Sequence, residues 1–164
     1  VSGRGFRGWF RRANSFIARL LVRYDVWRFG DVDPRAKIGL RGEQYAARML
    51  RRQGFRVVVH SEADFGGEID LIAVDPRRPR EIVFVEVKTL ATRKPGHPAE
   101  RVDEDKQARI TRAAARYLMR NRLLEARCRF DVIAIWWPSD AGEPDKVEHY
   151  RSAFEATGLD SFFT

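Results

Sequence analysis

The stretch Ile82-Val83-Phe84-Val85-Glu86-Val87-Lys88 restricts the fold more than any other part of the chain. Its opening run of β-branched and aromatic residues reads as a strand covered on both faces, as a central strand of a layered α/β sheet is. Side chains alternate along a strand, so Glu86 and Lys88 share one face while Val85 and Val87 share the other. Burying a lone charge in such a setting is expensive. The strand must therefore end in a polar cleft, or its two charges must be paired.

The elements around this strand follow from periodicity. Ile38, Tyr45, Ala46, Met49 and Leu50 have helical spacing, and Gly54 is placed to stop that helix. Phe55 to His60 reads as a strand, Ser61 to Gly67 as a polar loop, Ile69 to Val74 as a second strand and Pro76 to Arg80 as a turn. Thr89 to Val102 has no periodicity and reads as a loop. Asp103 can cap the next helix, whose inner stripe is Ile110, Ala113, Ala114, Tyr117, Leu118 and Asn121. Arg129 to Trp137 is a fourth strand, and Lys146 to Tyr150 a short fifth. The order predicts a mixed β-sheet flanked by helices, an α/β layer fold. Residues 37–150 form this domain, 1–36 precede it as an arm, and 151–164 follow as a tail that packs back or mediates association.

Charge narrows the partners. Thirty-one Lys+Arg against 23 Asp+Glu leave a formal net charge of +8, which favours a polyanion: nucleic acid first, an anionic membrane surface second. Eight arginines fall within residues 1–36, interleaved with Trp9, Ala13, Phe16, Ile17, Leu20, Tyr24 and Trp27 at helical steps. That arm is a basic amphipathic helix, suited to packing on its own domain, to a second copy in a homodimer, or to contact with nucleic acid or membrane. It lacks the uninterrupted apolar core of an export signal, and no run is long enough to cross a membrane, so a cytoplasmic protein is expected. The single cysteine, Cys128, excludes an internal disulfide framework, and His60, His97 and His149 have no ligand-set spacing.

Asp70 sits between Ile69 and Leu71 in the second strand. If strands two and three form a hairpin about the Pro76–Arg80 turn, Asp70 and Glu86 stand equally far from its centre and face each other. Two adjacent carboxylates resist joint ionisation unless a cation lies between them. Hard oxygen donors with open positions suit Mg²⁺ or Mn²⁺, and a lysine alongside can orient or deprotonate an attacking water. The alternative is an Asp70–Lys88 or Glu86–Lys88 ion pair at a solvated strand end.

Gly67-Glu68-Ile69-Asp70-Leu71-Ile72-Ala73, followed by Val85-Glu86-Val87-Lys88, resembles the Asp…Glu-x-Lys signature of the PD-(D/E)XK nuclease superfamily, the restriction-endonuclease-like fold. More closely, the chain resembles the bacterial YraN (UPF0102) family, a predicted-endonuclease family related in fold to archaeal Holliday-junction resolvases. Gly39-x-x-Gly42-Glu43-x-x-Ala46, Phe84 to Lys88, Lys106 with its helix, Tyr117-Leu118 and Arg129-Phe130-Asp131-Val132 carry that likeness over roughly Ile38 to Trp137. The resemblance implies that Asp70 and Glu86 ligate the metal, with the Val87 carbonyl as a third ligand. It implies that Lys88 positions the water and stabilises the pentavalent phosphate, and that Glu43 is an accessory acid. Gln107 falls where relatives place a further polar residue, with Lys106 an equal candidate. Ile69 replaces the usual proline before the first acid.

The expected activity is metal-dependent hydrolysis of phosphodiester bonds in DNA, with structure (branches, flaps, ends) recognised rather than base sequence. Arg93 and Lys94 in the loop, and Lys106, Arg109, Arg112, Arg116 and Arg120 on the helix, would neutralise phosphates. A non-catalytic nucleic-acid-binding module of the same fold is the rival. Glu68 is an extra acid or a strand-edge charge, Asp131 a structural ion-pair partner, and Trp136 and Trp137 point to opposite faces, where core packing is favoured over exposure of one ring for base stacking.

Overall fold

The computed structural model describes residues 32–64, 67–78, 81–91, 102–138 and 142–157, with backbone alone at 60–64 and 67. Helix α1 (Ile38–Arg52) precedes strands β1 (Arg56–Asp64), β2 (Gly67–Val74) and β3 (Glu81–Leu90); helix α2 (Glu104–Arg120) precedes β4 (Arg127–Trp136) and β5 (Lys146–Phe154). Among the described residues the strands form one sheet in chain order, antiparallel except between β3 and β4. A parallel pair needs a crossover rather than a tight turn, and α2 lies in that crossover. The protein is an α/β fold with a mixed five-stranded sheet, compatible with a restriction-endonuclease-like core.

Period-two alternation sorts the central strands between two cores. Leu71, Ala73, Val83, Val85, Ile133 and Ile135 pack with Ala46, Ala47 and Leu50 of α1. Ile72, Ile82, Phe84, Phe130 and Val132 pack with Ile110, Ala113, Ala114 and Leu118 of α2. Phe84 stacks on Phe130 at 5.6 Å between ring centroids, and Phe130 on Phe154 at 4.9 Å, tying β3, β4 and β5 together. Phe84 and Phe130 are buried, so truncating either to alanine is expected to cost about 3–5 kcal/mol.

Both helices end in the same turn. In α1, Gly54 N–H donates to Arg51 and Phe55 N–H to Leu50, with Gly54 at φ 89°; in α2, Arg122 N–H donates to Met119 and Leu123 N–H to Leu118, with Arg122 at φ 57°. That turn requires a left-handed residue, which glycine adopts at least cost.

Several boundaries differ from the sequence reading. β1 runs on to Asp64, with Asp64 paired to Gly67, where a loop from Ser61 was expected; pairing with β2 holds residues that are poor strand formers in isolation. β5 continues past Tyr150 to Phe154, so part of the expected tail belongs to the sheet. The register of β5 slips between Phe130 and Val132, and Ser152 takes φ 48° while its N–H donates to Asp131 Oδ1 at 2.9 Å. Ile38 is 40% exposed, because the first turn of α1 precedes the stretch that reaches the sheet. Asn121 caps α2 from outside, its amide donating to the Tyr117 carbonyl, and is not part of the inner stripe. The arm through residue 31, the loop with Arg93, Lys94 and His97, and the tail from 158 lie outside the described residues.

Candidate active site

The site lies where β2 and β3 part. Their paired residues run from Val74–Ile82 to Leu71–Val85, the register that sets Asp70 opposite Glu86. At the next position Asp70 Oδ2 accepts the Val87 N–H at 2.6 Å, a side chain standing in for the missing backbone partner. β3 changes character at the same point: Glu81 to Glu86 are buried, Val87 to Leu90 half-buried.

Glu86 is only 4% exposed and faces two cations. Its Oε1 lies 2.9 Å from Lys88 Nζ, and its Oε2 lies 3.3 Å from Lys106 Nζ. Oε2 nevertheless has no aligned hydrogen-bond donor. Burial and the nearby Glu86 charge push the Asp70 carboxyl up to about 7; the Glu43 charge adds to this, while the Val87 N–H and Lys106 oppose it. Like charges crowded into a desolvated corner are what raise it.

Both helices converge on this corner. Glu43 of α1 lies within electrostatic reach of Asp70 because α1 runs tight against β3 there. A Cβ on Gly42 would come within 1.9 Å of Thr89 Oγ1 and 3.1 Å of its Cβ, so only glycine allows this approach. At the start of α2, Asp103 Oδ1 caps the Lys106 N–H at 2.7 Å, as the sequence suggested, and thereby orients Lys106. Gln107 turns elsewhere: its amide donates to the Val102 carbonyl at 2.8 Å, and Lys106 is the α2 residue that reaches Glu86.

The residues able to hold a divalent cation are Asp70 and Glu86, with the Val87 carbonyl beside them. In a strand the N–H and C=O of one residue leave on the same side, so this carbonyl shares the edge that Asp70 occupies. Among the described residues no group of three or more His, Cys, Asp or Glu side chains is gathered for a metal. The donor set is thus two carboxylates and a carbonyl, which fits a hard ion that keeps waters, such as Mg²⁺ or Mn²⁺. The undirected Glu86 Oε2 and the repulsion borne by Asp70 are both relieved by a cation between them.

Other flagged residues resolve simply. Arg109 and Arg120 are exposed on α2, and Arg112 and Arg116 are half-buried. Glu68 is exposed. Trp137 is 1% and Trp136 7% exposed, so both are core residues. Asp131 is fully buried in an ionic network on the face of the sheet that α1 covers, level with Val85 and on the opposite face from Glu86. Arg129 Nε lies 3.0 Å from its Oδ1, and His149 Nε2 lies 2.8 Å from its Oδ2. Arg129 also contacts Asp75 at 2.9 Å and Glu81. The roles of Arg129, Asp75, Glu81 and His149 were not read from sequence; the one signal was several charges in otherwise strand-like segments.

The profile described as "Uncharacterised protein family UPF0102" matches residues 42–135. The chain belongs to the UPF0102 family. Relatives of this UPF0102 chain include a UPF0102 protein of Rhodopirellula baltica, 63% identical over 140 residues, or 85% of this chain and 83% of the relative. A UPF0102 protein of Chlorobium limicola is 41% identical over 134 residues, 78% of this chain and 99% of the relative. One from Geobacter sulfurreducens is 40% identical over 118 residues, 72% of this chain and 88% of the relative. The family match begins at Gly42 and spans Glu43, Asp70, Glu86, Lys88 and Lys106.

Proposed function

We propose that this UPF0102 protein is a metal-dependent nuclease that hydrolyses phosphodiester bonds in DNA, selecting branched or junction structure over base sequence. The observation that carries the reading is the meeting of Asp70 and Glu86 where the β2–β3 ladder opens, with Lys88 2.9 Å from Glu86. The Asp…Glu-x-Lys likeness of the same residues to PD-(D/E)XK nucleases agrees with it.

Asp70, Glu86 and the Val87 carbonyl would hold a Mg²⁺ or Mn²⁺ ion, which would supply polarisation of the phosphate and a lowered pKa for a bound water. Glu86, buried between two ammonium groups, anchors Lys88. The Lys88 Nζ orients the attacking water and offsets the charge that develops on the phosphate oxygens. Lys106 shares the other Glu86 oxygen and faces the same corner, adding a second positive charge toward the phosphate. Arg109, Arg112, Arg116 and Arg120 neutralise the backbone beyond the scissile bond.

Purified protein with Mg²⁺ or Mn²⁺ is expected to nick a four-way junction, and Glu86→Ala to abolish that nicking. Equal trace cleavage by both proteins assigns the activity to a contaminant and defeats the reading. One observation favours a second reading, a non-catalytic nucleic-acid-binding module: Lys88 and Lys106 together contact both oxygens of Glu86 and so supply its countercharge without a metal. That reading expects DNA binding indifferent to divalent metal, and calorimetry of Mn²⁺ binding with Asp70→Asn as control separates the two.

A further inference from the structure

At the other end of β3, on the face that α2 covers, lies a cavity of about 760 Å³. Its floor is a cross-strand row: Arg56 pairs with Val74, and Val74 with Ile82. Leu123, just past α2, walls it, and Arg122 and Arg127 stand at its rim. Among the described residues Arg56, Arg122 and Arg127 have no acidic or hydrogen-bonding side-chain partner, although all three are exposed. Of the acids lining the cavity, Glu81 is already committed to Arg129 and Arg78, which leaves Glu125 as the counterweight.

Arg122 adds an independent observation. It occupies the left-handed position that closes α2, where α1 uses Gly54 for an identical turn. An arginine there carries backbone strain that glycine avoids, and strain of this kind gathers where a side chain is needed.

Between the cavity and the candidate site α2 carries a row of basic residues, exposed at Arg109 and Arg120 and half-buried at Arg112 and Arg116. Lys106, Arg109, Arg112, Arg116 and Arg120 recur at helical steps along α2, and Arg122 continues them at its end. From Lys106 to Arg120 this row is about 21 Å long at 1.5 Å per residue, the length of roughly six base pairs at 3.4 Å each.

We propose that the arginine-rimmed cavity is a second anchoring site for nucleic acid, in which Arg56, Arg122 and Arg127 grip the phosphate backbone of the strand that leaves the catalytic corner along α2. The inference rests on the nucleic-acid reading above but not on cleavage. It makes the contact surface about one helix longer than the site itself and gives branched DNA a hold on an arm away from the cut.

The test is equilibrium binding of a labelled duplex of about 20 base pairs to the full chain, without divalent metal, across a salt series; each lost phosphate contact flattens the log–log salt slope by about 0.9. Arg122→Gly combined with Arg127→Ala is expected to flatten the slope by about 2 and weaken binding on the order of tenfold per arginine near 0.1 M salt. Arg122→Gly alone is expected to keep or raise the melting temperature while weakening binding, so lost affinity is not lost folding. Arg52→Ala, on α1 across the sheet, is the control and changes the slope least.

An unchanged slope in the double variant, with tight salt-sensitive binding by the wild type, overturns the cavity proposal and leaves the catalytic reading standing. No salt-sensitive binding by the wild type removes both, whereas intact binding with absent cleavage removes only the catalytic one. Inorganic phosphate and decanoate serve as small-anion probes in a thermal-shift arm. Stabilisation by either one that depends on Arg122 and Arg127, with the DNA slope unchanged, overturns the nucleic-acid assignment in favour of a small anion.

Discussion

Replacing Arg129 with methionine tests the ionic network on the α1 face of the sheet, across from the face that carries Glu86. The guanidinium, 11% exposed, lies against three carboxylates: Asp75 at 2.9 Å, Asp131 at 3.0 Å and Glu81. These residues are 2%, 0% and 8% exposed. Methionine keeps the apolar stem and removes the charge, stranding buried anions, a lesion worth about 3–5 kcal/mol. Arg151 remains 3.9 Å from Asp75, and His149 and the Ser152 N–H remain on Asp131, which favours the lower half of that range. At roughly 2–4 °C per kcal/mol for a domain of this size, the melting temperature falls by about 6–16 °C.

The pH dependence is diagnostic. Burial alone would raise the Asp131 carboxyl, but hydrogen bonds from His149, Arg129 and the Ser152 N–H hold it below its ordinary value; Asp75 is likewise held low, against burial, by the Arg77 N–H and Arg129. A lowered native value contributes stability that is present above the unfolded value of about 3.9 and is lost as pH falls through the native one. In Arg129→Met burial is no longer opposed by the guanidinium, the native values rise, and protonation relieves the stranded charge. The gap between wild type and variant is therefore expected to narrow as pH falls from 7 toward 4. Urea unfolding at several pH values reads both quantities. A difference below about 1 kcal/mol at pH 7, or a gap that stays constant with pH, refutes the assignment of Arg129 as the network's hub.

Other substitutions probe the candidate site. Gly42→Ala forces a methyl group onto Thr89 and is expected to destabilise by about 1–3 kcal/mol despite alanine's better helix propensity; adding Thr89→Ala, which removes the nearest atom, recovers part of that loss, and failure to recover any refutes the contact. Asp70→Asn keeps an oxygen for the Val87 N–H and removes a charge that burial and Glu86 oppose. Because the native carboxyl titrates near 7, above its unfolded value, ionised Asp70 destabilises at alkaline pH. Without metal, Asp70→Asn should therefore melt higher than wild type at pH 8.5, with the advantage shrinking by pH 5; equal melting at both pH values counts against the crowded carboxylates. Asp103→Ala removes the cap on the Lys106 N–H and is expected to cost about 1 kcal/mol, seen as faster amide exchange in the first turn of α2.

Much of the fold and the centre of the site were legible in the sequence because both follow from short-range rules. A two-residue period fixed which side chains of β3 share a face, and the turn near residue 78 set Asp70 against Glu86. Asp103 announced its helix through the chemistry of a cap. What escaped depends on long-range pairing. Ser61 to Asp64 extend β1 only because β2 lies alongside, and β5 reaches Phe154 because the Phe84–Phe130–Phe154 stack rewards it. Gly42 is locally an unhelpful helix residue, and its reason appears only when Thr89 is brought against it. Arg129 opens a strand in the sequence, and its role appears only when Asp75, Glu81 and Asp131 are brought around it.

The lone parallel seam between β3 and β4 has a bearing on how the molecule comes to work. The acid-bearing hairpin can assemble from neighbours in the chain, but Lys106 lies in the crossover, whose far end returns only when β4 docks along β3. The candidate corner thus gains Lys106 only once the β3–β4 pairing closes the crossover. A cavity opened at Ile133, with every polar group intact, is expected to loosen that closure and with it the Lys106–Glu86 contact.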